Sequence, residues 1–262
     1  MRAFISFAII AGLGWTATAY AETAEEKGLR IALEADAYNA GYGDQVSELE
    51  MLLRNRYGDE SKRYFHSKIL EFPADGDKSI SIFDRPADIK GTAVLTFTHK
   101  SGPDDQWLYL PALKRVKRIS SANKSGSFVG SEFSYEDLSS QEVEKYTYKW
   151  IEDAPCGDGA QCWVFERYPV DKYSGYTRQM IWMEFDNFRV HKIDYYDRKN
   201  AFLKTLTFSD YRQYLDHYWR ARLLSMVNHQ TGKSTELTSQ GIEFRTGLSD
   251  RDFDAASLKR AR

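Results

Sequence analysis

Five histidines, His66, His99, His191, His217 and His229, are the side chains best suited to metal or proton chemistry in this sequence. They stand far apart, with no H-E-x-x-H and no pair one helical turn apart, so only the fold could gather them into a zinc site. Cys156 and Cys162 frame the polar segment Gly157-Asp158-Gly159-Ala160-Gln161. Their spacing is not C-x-x-C, and no further Cys or His cluster stands nearby to complete four ligands. Ser125-Gly126-Ser127-Phe128-Val129-Gly130-Ser131 is rich in Gly and Ser but matches neither G-x-S-x-G nor a phosphate-binding loop, and reads as a mobile loop. Asp104-Asp105 is an adjacent carboxylate pair, but neighbouring residues of a strand face opposite ways, so a turn after Gly102-Pro103 is the better reading. No catalytic residue, metal ligand or cofactor motif emerges, and the chain is not expected to be an enzyme. A hydrolase reading has no constellation to start from.

Charge offers a different kind of candidate. Lys114, Arg115, Lys117, Arg118 and Lys124 form a basic stretch without an acid, followed by Glu132, Glu136, Asp137, Glu142 and Glu144 without a base until Lys145. Charge runs usually just face water. The functional reading is docking, in which Lys114, Arg115, Lys117 and Arg118 hold anionic headgroups or orient a partner protein at a membrane. The whole chain is nearly neutral, with 36 Lys and Arg against 38 Asp and Glu in 262 residues, which argues against nucleic acid as a partner.

The elements that would position these groups are mostly strands. Ala93, Leu95 and Phe97 alternate with Val94, Thr96 and Thr98, and Tyr146, Tyr148 and Trp150 alternate with Thr147 and Lys149. Asp186-Asn187, Arg198 to Asn200 and Thr231-Gly232 fall between such runs, where hairpin turns belong. The simplest assembly is an antiparallel meander of about ten or more strands, which must curl or close. Thr23 and Glu26 have the spacing of a capping box before Leu29, Leu33, Ala37 and Ala40, with Gly41 as the stop, so a helix opens the mature chain. A second helix is expected after Ser249, with Leu248 and Phe253 at staple positions, and a short helical turn near Ser134 to Gln141.

The first 21 residues read as a targeting segment. Arg2 supplies a positive start, Phe4 to Trp15 is apolar and uncharged, and Ala19-Tyr20-Ala21 has the small-x-small form that precedes cleavage. The apolar run is too short to span a bilayer, which needs roughly 20 residues. No Cys lies near the cleavage point, so no lipid anchor is expected, and residues 22–262 form one exported domain. In that oxidising setting Cys156 and Cys162 are expected to pair and pin a hairpin tip.

Three longer stretches carry a resemblance. They are Phe83-Asp84-Arg85-Pro86-Ala87-Asp88-Ile89-Lys90-Gly91-Thr92, the run from Asp104 through Trp107-Leu108-Tyr109-Leu110-Pro111 to Ile119, and Lys124 to Phe128 with Ser131-Glu132-Phe133-Ser134-Tyr135-Glu136-Asp137. With Tyr195-Tyr196-Asp197-Arg198, Tyr218-Trp219-Arg220 and Thr231-Gly232-Lys233, they resemble the outer-membrane lipoprotein-sorting protein family, in its longer LolA-like branch.

The resemblance implies an incomplete antiparallel β-barrel with an N-terminal and a C-terminal helix over its concave side. It also implies a periplasmic carrier that holds acyl chains of a lipoprotein or lipid in an apolar cavity and passes them between envelope membranes. Members of this branch are often associated with RND-type lipid exporters, so an accessory or sensor subunit of such an inner-membrane transporter is the alternative. Membrane contact would be peripheral and transient. Alternation picks Phe83, Leu95, Phe97, Trp107, Tyr109, Tyr148, Trp150 and Trp182 as candidate lining residues, although for any one aromatic a filled core is the ordinary fate. The segment around Leu29 and Leu33 is the candidate lid.

Overall fold

Thr23 accepts a hydrogen bond from the backbone of Glu26, whose carboxylate takes the Thr23 amide in return, and this capping box starts helix α1 (Ala24–Asn39). The helix ends before Gly41, which turns at a φ of 91°. In the computed structural model, residues 21–157, 159–254 and 258 are described. The expected targeting segment therefore lies outside the described residues, apart from Ala21.

Strands follow in an unbroken run, as the period-two patterning requires. They are β1 (Asp44–Arg54), β2 (Glu60–Leu70), β3 (Lys78–Arg85), β4 (Ala93–Phe97), β5 (Asp105–Leu110) and β6 (Arg115–Ile119). After a long crossover come β7 (Tyr146–Cys156), β8 (Ala160–Pro169), β9 (Tyr176–Glu184), β10 (Val190–Asp197), β11 (Phe202–Tyr214), β12 (Tyr218–Asn228) and β13 (Ser234–Phe244). All thirteen join one antiparallel sheet in the order β6-β5-β4-β3-β2-β1-β13-β12-β11-β10-β9-β8-β7. Every ladder joins strands consecutive in the chain except that between β1 and β13, which joins two meanders, β1 to β6 and β7 to β13, along one seam. The result is a curved open sheet, an incomplete barrel, as expected.

Sheet order decides where the crossover runs. β6 and β7 are consecutive in the chain yet form the two opposite edges, so residues 120–145 must span the open side. They do so in short 3-10 turns, including the expected one at Tyr135–Leu138, capped by Ser134. The hairpin turns stand where they were placed, between β9 and β10, β10 and β11, and β12 and β13.

Both faces of the sheet carry apolar side chains. The inner face holds the larger cluster, among it Met51, Phe65, Phe83, Ile193, Leu206 and Met226, and is covered by α1 and the crossover. Outside, Ile80, Ile82, Leu95 and Tyr109 meet Phe253 and Leu258 of the chain end. This corrects the expected pair of helices on one side. Ser249 caps only a 3-10 turn at Asp250–Asp252, and this segment lies against the outer face, because β3–β5 are apolar there as well. Residues 255–257 and 259–262, where the expected C-terminal helix would continue, lie outside the described residues.

Helix α1 presents a different face from the one its leucines suggest. Ile31, Ala32 and Ala35 are buried with Gly28, whereas Leu29 and Leu33 are 43 % and 51 % exposed. Gly28 explains the choice: a Cβ there would meet the backbone nitrogens of Trp150 and Lys149 at 2.8 and 2.9 Å. The helix lies flush on β7 through its one residue without a side chain.

Candidate functional site

Where an open hollow was expected, the inner face is filled by the chain itself. Phe128, Phe133 and Val143 of the crossover are buried, and the Phe128 ring stands 5.7 Å from Phe83 and 6.3 Å from Phe65. The segment read as a mobile Gly/Ser loop is thus a plug: Val129 and Gly130 adopt positive φ, turning the chain so that Phe128 points into the floor. Ile31 and Ala32 of α1 complete the cover.

Polar groups seat the plug as firmly as apolar ones. Lys204 of β11 reaches through the floor, donating to the Glu132 carbonyl at 2.9 Å and pairing with Asp137 at 2.6 Å. The side chains of this ion pair are 5 % and 2 % exposed. Tyr176 donates to the other Asp137 oxygen at 2.7 Å, Asn228 donates to the Glu132 carboxylate at 2.7 Å, and Thr235 accepts from the Glu132 amide at 3.0 Å. Burial drives the phenols of Tyr176 and Tyr195 well above their ordinary range, which keeps Tyr176 a neutral donor to Asp137. Glu136 accepts from the Gly175 amide and the Ser174 hydroxyl, and burial raises its carboxyl. Buried charge is tolerated here because every carboxylate named has donors.

The charge run predicted around residue 114 is split by the fold. Lys114, Arg115, Lys117 and Arg118 are exposed on and beside edge strand β6, with Arg118 paired to Asp105. Of the acidic half, Glu132, Glu136, Asp137 and Glu142 turn inward, whereas Glu144 stays exposed. Beside the plug opens a cleft of about 650 Å³ between the β4–β5 loop, the crossover and the β8–β9 loop. Its walls are mixed, with Lys124 bonded to Asp171 at 2.6 Å and Lys145 to Asp104. It is an open cleft of mixed lining at the rim, apart from the inner floor.

The eight candidate lining residues fall in three places. Phe83, Tyr148 and Trp150 belong to the inner cluster, and Lys27 of α1 lies 3.7 Å over the Trp150 ring. Leu95, Phe97, Trp107 and Tyr109 are together on the outer face, beneath the chain end. Trp182 belongs to neither cluster, and Lys192 covers its ring at 3.6 Å. Alternation separates the two faces of a strand but does not say which face is inside. The sequence reading missed Phe65, Phe128, Phe133, Lys204 and Asp137; a lysine at an inner position of a strand was the one available signal.

Cys156 and Cys162 form a disulfide with Cα atoms 5.7 Å apart, closing the β7–β8 hairpin as expected. The histidines stay scattered, each with its own partner: Asp84 for His66, Asp75 and Asp105 for His99, Glu184 for His191, the Tyr38 carbonyl for His217 and Thr205 for His229. Hydrogen bonding to Asp75 raises the pKa of His99.

A family model described as an uncharacterized protein matches residues 75–260. A crystal structure described as an outer membrane lipoprotein-sorting protein domain from Vibrio parahaemolyticus is 54 % identical. It covers 90 % of this chain and 100 % of its own, at a TM-score of 0.88. The chain belongs to the outer-membrane lipoprotein-sorting protein family. A DUF1329 family protein from Desulfovibrio piger is 30 % identical over 90 % of this chain and 99 % of its own, at a TM-score of 0.84. A LolA superfamily protein from Nitrosomonas europaea shares the fold at a TM-score of 0.69 and 19 % identity, covering 89 % of this chain and 98 % of its own. No curated protein matches the chain.

Proposed function

We propose that this LolA-like protein is a periplasmic carrier. It binds the acyl chains of a lipoprotein or lipid on its inner apolar face and transfers them between envelope membranes. One observation carries the reading: the apolar floor of the half-barrel is covered by α1 and the crossover, neither of which is a strand of the sheet. Such a cover is able to leave without breaking a ladder. An acyl chain costs about 0.8 kcal/mol per CH₂ to expose to water, so a chain laid on the floor replaces plug contacts with contacts of the same kind. Exchange of one apolar cover for another needs no covalent chemistry. Release to a tighter acceptor then follows from the competing plug.

Exposed cations on edge strand β6 support the docking role proposed for Lys114, Arg115, Lys117 and Arg118. They suit a transient contact with anionic headgroups or with an acidic patch on an RND-type transporter, which is the second reading. Native mass spectrometry of gently purified protein tests the carrier function. Bound lipid released by solvent is the expected result; a single unliganded mass in every gentle preparation overturns it. For docking, changing Lys114, Arg115, Lys117 and Arg118 together to Glu is expected to abolish binding to anionic vesicles or to the transporter, and undiminished binding to both rejects it.

A further inference from the structure

Away from the plug, at the end of the sheet beside the C-terminus of α1, lies a second pocket of about 300 Å³. Val190, Phe208 and Leu224 form one wall and are continuous with the inner apolar floor. Tyr211, Trp219, Arg189 and Arg220 form the rest. The two arginines differ in one decisive respect. Arg189 is neutralised: it donates to both oxygens of Glu184 at 3.0 and 2.9 Å, and lies over the rings of Trp219 and Tyr211 at 4.8 and 5.4 Å.

Arg220 has no such partner. Its Nη1 donates to the Asn39 side-chain oxygen at 3.2 Å and to the Trp219 carbonyl at 3.0 Å, and no carboxylate of the described residues lies within 4.0 Å of it. Glu71, an acid whose field reaches it, is held by the amides of Gly41 and Gly43 at 2.5 and 2.8 Å. Tyr42, Tyr218 and Phe244 surround the guanidinium at 5.4 to 5.6 Å from their centroids. A guanidinium carries five N–H donors in a planar fork, and only neutral acceptors meet this one. Its surroundings are apolar enough that burial lowers its pKa.

We propose that this pocket is the seat for the anionic head of an amphiphile. Arg220 takes its carboxylate or phosphate oxygens, and the hydrocarbon runs along Val190, Phe208 and Leu224 onto the floor. A planar fork matches both kinds of oxygen pair, and rings around it exclude water that would weaken the contact. This deepens the carrier reading by naming the ligand's charge, and rests on it.

The test is calorimetric binding of decanoate, decyl phosphate and uncharged decanol to the intact protein. Both anions, or one of them, are expected to bind at least about tenfold more tightly than the alcohol at low salt, the tighter one identifying the head group. Arg220→Met is expected to remove that preference while leaving decanol affinity unchanged, and Lys233→Met, at an exposed cation outside the pocket, to retain it. Should Arg220→Met fail to fold, the parent protein decides alone: the preference must shrink as ionic strength rises. Equal binding of anions and alcohol to the parent overturns the anion seat and leaves the carrier standing. Binding of none of the three overturns both.

Discussion

Lys204 and Asp137 show at the residue scale how the plug is held. Each is the other's compensation in a place water does not reach, so removing one member costs far more than replacing both. Asp137→Asn is expected to destabilise the protein by about 3 kcal/mol or more, and Asp137→Leu with Lys204→Met by clearly less, read from denaturant midpoints. Glu142 gives a pH signature. Burial, with Asp77 and Asp36 adding repulsion, pushes its carboxyl up to about 7 from 4.5. The folded chain keeps this proton where the unfolded chain has lost it, so its effect lowers stability as pH rises from about 4.5 to about 7. Glu142→Gln is therefore expected to melt higher than the parent at about pH 8, by on the order of 1 kcal/mol, and no differently at about pH 4. Equal melting at both pH values would contradict it. Neither role was legible beforehand: the acids of this run looked solvated, and only the seating of the crossover turned Asp137 and Glu142 inward.

Elements carried more of their own signal. Thr23 and Glu26 announced the start of α1, and the cysteines announced the β7–β8 hairpin, because capping and loop closure are local interactions. Which side of α1 is buried was not local. Leu29 and Leu33 looked like the packing stripe, but the close approach of Gly28 to the β7 backbone turns them outward. Gly28→Ala is expected to cost about 1–3 kcal/mol despite its better helix propensity, whereas Leu33→Ala leaves the melting temperature nearly unchanged. Reducing the disulfide in the parent is expected to lower stability by about 2 kcal/mol without unfolding the domain, because the loop it closes is short. Global unfolding on reduction would show that the hairpin holds more than its own tip.

On the scale of the whole molecule, the half-barrel and its cover have different duties. The sheet is laced by ladders along every strand, while the crossover is held by a few side chains and buried polar bonds. Hydrogen exchange should separate them: on adding a medium-chain fatty acid, amides of residues 120–145 are expected to exchange faster while β1–β3 stay protected. Unchanged exchange in the crossover, with the acid bound, would mean the ligand lies elsewhere and that the plug does not move.

Strand periodicity, hairpin turns, the helix cap, the disulfide and the family motifs were determined by the sequence alone, since each depends on residues close together in the chain. What fills the barrel was decided by tertiary structure. A period of two tells that a strand has two faces, and apolar residues on both leave the inside unassigned. Sheet order made β6 and β7 opposite edges, which drew the crossover over the opening and put Phe128 where a hollow was expected. Arg220, too, looks like any surface arginine until the fold rings it with aromatics and gives its guanidinium only neutral hydrogen-bond acceptors among the described residues.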